Sequence, residues 1–422
     1  MTRFLDLRIE RPVAGGGMLA HRGGRVVLVD GAIPGERVHA RVDRERRDVI
    51  FATVVNVIEP DPDRRSVEND PTCGGQNYLH VEYDRQLQLK SEVIEDALRR
   101  TTKIDVATPI SVAPSPERGY RMRSRLHAGS SGLGFLRVGT HKLCNPARTG
   151  QLLPDTSRVI SKIGRRLSRS KYKSVLHVDL AESVDGEMRV ANFHLKKPYE
   201  STLINEWTTG CGLTGVTCSR PGSPKIKIVS GRPTIFDPIS TLVQRDATMQ
   251  GSIERHASSF FQSNRYLLST LVTETCRRVK NGPVLDLYAG VGLFSVALAA
   301  LGVENVTAVE RDVSGYRDLV ANAKGLHIEV IGESVEAFLA ASTTVIPGTV
   351  IVDPPRVGLS RMVVELIAER GVSTLVYVAC DVATFARDLR RFCDAGYGIE
   401  DVQAFDMFPN SSHVELMATL SR

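Results

Sequence analysis

From about residue 250 onward, short apolar runs rich in β-branched residues alternate with stretches of helical periodicity. Strands are expected at 283–288, 305–310, 328–331, 349–353 and 374–379, with a last pair near 399–405 and 413–420, and helices between them. Near-continuous apolar strands alternating with helices build an α/β fold: a mostly parallel, doubly wound Rossmann-like sheet covered on both faces. Such a sheet restricts where a ligand can lie, namely beyond the C-terminal ends of the strands. Three expected strands end in distinctive chemistry. Val284 to Leu287 runs into Tyr288-Ala289-Gly290-Val291-Gly292, Val350 to Val352 into Asp353-Pro354-Pro355-Arg356, and Val376 to Ala379 into Cys380 and Asp381.

The first half reads differently. Residues 1–59 alternate polar and apolar positions (Leu5, Leu7, Ile9; Val38, Ala40, Val42) around glycine-rich turns, the pattern of a small OB-like β-barrel that binds nucleic acid or packs on its neighbour. Pro60-Asp61-Pro62-Asp63-Arg64-Arg65 reads as a linker. A β-rich central domain is expected over 70–245, and the α/β domain over 246–422. The central part opens with a helix at 84–100 whose face carries Leu87, Ile94, Ala97 and Leu98, with Lys90, Glu92 and Glu95 outside it. Val106–Val112, Leu136–Val138, Val175–Val184 and Lys225–Val229 read as strands. Arg158, Lys162, Arg165, Arg166, Arg169, Lys171 and Lys173 form a basic segment that is either a solvated face or a surface for phosphates.

Seven scattered cysteines suit reduced thiols in a cytoplasmic chain better than a disulfide framework. Cys73 and Cys144 supply too few ligands for a structural zinc site or an iron–sulfur cluster, so no metal is expected. No apolar run approaches a membrane span, and the N-terminus has no signal-peptide core. The net charge of +6 permits an RNA partner. No obligate protein partner is evident.

The turn Gly290-Val291-Gly292 allows a ligand close to the backbone, and Glu310 at the next strand end suits ribose hydroxyls. Ser295 occupies the place of the third glycine of a dinucleotide fingerprint, which disfavours NAD and tolerates S-adenosylmethionine. Five segments then combine: Ser259-Phe260-Phe261-Gln262-Ser263-Asn264, the glycine turn, Asp353-Pro354-Pro355-Arg356-Val357-Gly358, Ala379-Cys380 with Ala383 to Asp388, and Asp406-Met407-Phe408-Pro409 followed by His413-Val414-Glu415. In order and spacing the chain resembles the RNA 5-methyluridine methyltransferase family, and its N-terminal segment resembles the TRAM domain found in many members.

That resemblance implies S-adenosylmethionine as methyl donor and tRNA or rRNA as substrate. It implies Cys380 as nucleophile on uracil carbon 6 and Glu415 as the base that removes the carbon 5 proton. Gln262, Tyr288, Gly290, Gly292, Glu310 and Asp353 would hold the cofactor, and Arg356 could assist the uracil carbonyl. The family's usual Ser-Cys-Asn-Pro is here Ala379-Cys380-Asp381-Val382. An acid beside the thiol is expected to raise its pKa. An RNA cytosine-C5 methyltransferase and a non-catalytic RNA-binding protein are the alternatives.

Overall fold

The computed structural model describes residues 3–102, 109–170, 174–197, 201–220, 225–243, 250–280, 282–341 and 348–422. Its C-terminal half is built on an eight-stranded sheet. The order is Ile328–Ile331, Val306–Val309, Val284–Leu287, Thr349–Val352, Thr374–Ala379, Glu415–Ser421, Gly398–Phe405 and Val112–Ala113. The first five are parallel, and Glu415–Ser421 runs antiparallel to both of its neighbours. All the strands expected from the sequence in this half are present. Valines, leucines and isoleucines on both faces bury into two separate cores, which is why these strands read as apolar runs rather than alternations. The order reverses beside Val284–Leu287, so a crevice opens there at the strand C-termini.

Residues 4–59 form a six-stranded sheet in which Phe4–Arg8 and Arg11–Pro12 are the edge strands. Leu5, Leu7, Met18, Val27, Val38 and Ile50 share one core, so the sheet curls around its own interior. Tyr78, Val81 and Leu89 from beyond the linker complete that core.

The helix Tyr83–Thr102 joins two cores. Leu89 packs into the N-terminal sheet, while Ile94 and Leu98 enter the core of the C-terminal sheet against the helix Val382–Asp394. It therefore packs on its flanking layers rather than on the central sheet. Lys90, expected on the solvent face, is buried instead: its ammonium donates to Asp406 Oδ1 at 2.5 Å. Helical periodicity places Lys90 beside Ile94, and only the partner acid from the far end of the chain makes that burial tolerable.

The central sheet has seven strands, in the order Leu143–Cys144, Gly132–Leu136, Arg123–Gly129, Val175–Glu182, Arg189–Leu195, Gly215–Ser219 and Ile226–Gly231. Of the expected strand 106–112, residues 106–108 lie outside the described residues, and a short strand is present at Val112–Ala113. The expected strand at 136–138 is displaced: it spans Gly132–Leu136, and Val138 is exposed. The helix Pro154–Arg169 buries Val159, Ile160, Ile163 and Leu167 and exposes Arg158, Lys162, Arg165, Arg166 and Arg169. Lys171 and Lys173 lie outside the described residues. Arg166 caps the carbonyl end of the helix Ser201–Thr208.

The expectation of reduced thiols throughout is overturned at one place: Cys73 and Cys144 form a disulfide. Cys73 is bridged to Arg137 and Cys144 is registered with Phe135, so one edge of the central sheet brings two remote thiols together. Among the described residues, no helix is long and apolar enough to cross a membrane.

Candidate active site

The glycine turn is shaped by the strand before it. Asp286, wholly buried on Val284–Leu287, accepts from the backbone N–H of Ser295 at 3.1 Å and also from its hydroxyl. This ties the strand to the first turn of the helix Leu293–Ala300. Tyr288 takes the left-handed conformation at φ 64°, unusual for a residue with a side chain, and turns the chain into Gly290 at φ 59°. A Cβ on Gly290 would meet nothing within 4 Å, so its face is open to a ligand. Gly292 plays another part: a Cβ there would lie 2.7 Å from Leu319 Cδ1, so that glycine permits packing and does not line the cavity.

Glu310 ends the next strand with both carboxylate oxygens anchored. Oε2 accepts from the Gly290 N–H at 2.8 Å and Oε1 from the Asp312 N–H at 2.5 Å. Asp353 ends Thr349–Val352 and accepts from Gln262 Nε2 at 3.3 Å. Gln262 belongs to the segment that seams the layers together. Within it, Asn264 donates to the Ser115 hydroxyl at 2.8 Å, and Arg265 to the carbonyls of Gly119 and Val184.

A cavity of about 940 Å³ connects these groups. Gln262, Tyr288, Gly290, Glu310, Asp353, Arg356, Cys380 and Glu415 all line it. The chain therefore brings together every expected site residue except Gly292. Phe260, more than half exposed, and Phe408 add aromatic walls.

Cys380 follows the last residue of Thr374–Ala379, and Glu415 opens the antiparallel neighbour, where Leu416 is registered with Ala379. Thiol and carboxyl thus issue from adjacent strands. Burial pushes the Cys380 thiol up to about 11, with Glu415 and Asp353 adding to the rise; the Arg356 guanidinium opposes it. The expected effect of Asp381 is not what the geometry provides. Its Oδ1 accepts from the Thr384 N–H at 2.9 Å and caps the helix Val382–Asp394, and the acid that bears on the thiol is Glu415.

Glu415 is buried, and its carboxyl is held well above the usual range by burial and then by Asp353, with Arg356 opposing. Burial, with Asp286 adding, lifts Asp353 to about 7. Asp286 rises to about 7 for the same chief reason. The cavity gathers several acids around two lining arginines, Arg311 and Arg356. Such a place favours a cationic ligand.

Sequence reasoning missed Asp286 as the brace of the turn, although it stands only three residues before Ala289 in the strand that feeds it. It also missed that Arg356 and Cys380 share one cavity wall; only the spatial meeting of two strand ends reveals it. Elsewhere, among the described residues, His177, Asp179 and His194 bring potential ligand atoms within 4.8 Å of one another. Both Asp179 oxygens there are engaged by Arg125, and Oδ2 also by His194.

Residues 243–422 match the family described as tRNA (uracil-5-)-methyltransferase. The chain is 30% identical to an uncharacterized RNA methyltransferase of Thermotoga maritima, over 98% of each chain. It is also 30% identical to the 23S rRNA (uracil(1939)-C(5))-methyltransferase RlmD of Chromohalobacter salexigens, over 99% of this chain and 89% of the relative. In fold it matches the Pyrococcus abyssi tRNA (uracil-54, C5)-methyltransferase, solved with S-adenosyl-L-homocysteine. That match has a TM-score of 0.77 and 24% identity over 98% of this chain and 99% of that one.

Proposed function

The chain belongs to the RNA uracil-C5 methyltransferase family, and from that premise we propose that Cys380 and Glu415 carry out methylation of carbon 5 of a uridine in RNA. The observation that supports this most is the meeting of thiol, guanidinium and buried carboxyl on one cavity wall.

S-adenosylmethionine, when bound, supplies an electrophilic methyl group on a sulfonium. The residues present suit it. Gly290 leaves an open floor, Glu310 presents a backbone-anchored carboxylate to ribose hydroxyls, and the acids around Asp353 favour its positive charge. Tyr288 and Gln262 complete the wall.

The protein's own groups then act in sequence. Cys380, as thiolate, forms a bond to uracil carbon 6, and the electron pair of the 5,6 double bond moves toward the carbonyl at carbon 4. Arg356 lowers the cost of that thiolate through its positive charge on the same cavity wall. Carbon 5 becomes nucleophilic and accepts the methyl group. Glu415 removes the remaining carbon 5 proton, the double bond re-forms, and the carbon–sulfur bond breaks to release Cys380. A carboxyl of raised proton affinity is a stronger base than an exposed glutamate, provided it is ionised when the adduct forms. The N-terminal sheet and the exposed basic face of Pro154–Arg169 are the surfaces for the RNA backbone.

The test is product identity. Transfer RNA and ribosomal RNA lacking the modification are incubated with protein and S-adenosylmethionine, then digested to nucleosides and separated. 5-Methyluridine is expected. 5-Methylcytidine, or no product from either RNA, would overturn the reading.

A further inference from the structure

Glu415 is reached through a nine-residue connection, 406–414, which leaves the strand Gly398–Phe405 and returns as Glu415–Ser421. It contains no helix or strand of its own. At its centre Asn410 is buried and held at φ 64°, a conformation asparagine tolerates better than most residues with a side chain. Its contacts come from a remote part of the chain. Oδ1 accepts from Arg65 Nη2 at 2.5 Å and from Gln86 Nε2 at 3.1 Å. Its backbone N–H donates to Gln86 Oε1 at 2.9 Å, and its carbonyl accepts from the Tyr78 N–H at 2.9 Å. Two residues on, Ser412 exchanges hydrogen bonds with Asn77, each 3.1 Å long. Gly16 of the N-terminal sheet closes over that pair, because a Cβ there would lie 2.1 Å from Asn77 Nδ2 and 2.6 Å from Ser412 Oγ.

Cys380 is placed differently. It follows a central strand flanked by Thr349–Val352 and Glu415–Ser421, and the helix after it is capped by its own neighbour Asp381. Glu415 also stands in this sheet, registered with Phe405, but the connection that leads into it is held from residues 65–86. We propose that Asn410, held by Arg65 and Gln86, is a positioning residue for Glu415, so that this clamp governs proton removal and elimination more than addition and methyl transfer. The inference rests on the assignment of Glu415 as base.

The chemistry gives a selective readout. Slowing elimination leaves the carbon–sulfur bond intact after methyl transfer, so methylated RNA stays attached to Cys380. Asn410→Gly keeps the left-handed backbone and removes the Oδ1 acceptor. Asn410→Asp keeps an acceptor for both donors. Full-length variants are mixed with RNA and methyl-labelled S-adenosylmethionine, then run on a denaturing gel while turnover is followed in parallel. For Asn410→Gly, turnover should fall at least tenfold while the methyl-labelled protein–RNA adduct rises, and Asn410→Asp should restore turnover. Arg65→Ala, which leaves Gln86 in place, should show the same pattern in smaller measure and decides the matter if Asn410→Gly does not fold. Adduct and turnover falling together would overturn the clamp. Glu415→Gln on the same gel separates the two readings. If it traps adduct and the clamp variants do not, only the clamp fails; if it traps none, the base assignment itself fails.

Discussion

Asp353 pays for its position in proton affinity. Burial and Asp286 lift its carboxyl to about 7 from an ordinary 3.8, so the folded protein holds a proton that the unfolded chain has already released. A raised acid favours folding at low pH and loses that contribution as pH rises through the folded value. The Tm of ligand-free Asp353→Asn should therefore exceed that of the natural protein by a margin that grows between about pH 4 and about pH 7 and then levels. A margin independent of pH in thermal unfolding would contradict this. Glu310 offers a second check. Its carboxylate is anchored by Gly290 and Asp312 and faces the cavity, so Glu310→Ala should weaken S-adenosylmethionine binding by about 1.5–3 kcal/mol, the strength of hydrogen bonds to a charged group. Unchanged affinity in calorimetric titration would remove Glu310 from the cofactor site. At this scale the sequence was legible wherever a residue closes a strand, as Glu310, Asp353 and Cys380 do. It misplaced Lys90 on the solvent face and was silent on Asn410, because their partners Asp406, Arg65 and Gln86 lie at the opposite end of the chain.

The strands of the C-terminal sheet could be read because burial on both faces writes itself as an unbroken apolar run. The strand at Gly132–Leu136, second from the edge of its sheet, could not, since glycines and a neighbouring exposed valine blur the pattern. The pairing of Cys73 with Cys144 was also beyond reach, because the contact belongs to an edge of the central sheet and not to any local spacing. A bridge closing a loop of this length should stabilise the protein by about 2–4 kcal/mol, largely by restricting the unfolded chain. Denaturant unfolding of a Cys73→Ser variant should show that loss, and adding reductant should then change nothing further. Equal stability of variant and oxidised natural protein would show that the bridge contributes nothing.

Across the whole molecule, the work is divided: residues between Phe260 and Glu415 line the cavity, residues 65–86 brace the connection before Glu415, and the central domain carries the basic helix. If the exposed Lys162, Arg165 and Arg169 neutralise phosphates, replacing all three with glutamine should lower RNA affinity. The slope of log affinity against log salt should become shallower by about 0.7–0.9 for each phosphate no longer neutralised. An unaltered slope would assign that face to solvent alone. The central claim is that Cys380 activates carbon 5 and Glu415 takes its proton, and departure of that proton can be counted. RNA carrying tritium at carbon 5 of uridine is supplied with S-adenosylmethionine, and tritium released to water is compared with methyl groups transferred. The natural protein should release one tritium for each methyl group transferred, Cys380→Ala should do neither, and Glu415→Gln should transfer methyl groups while retaining tritium. Methylation without tritium release by the natural protein, or release by Cys380→Ala, would contradict the mechanism.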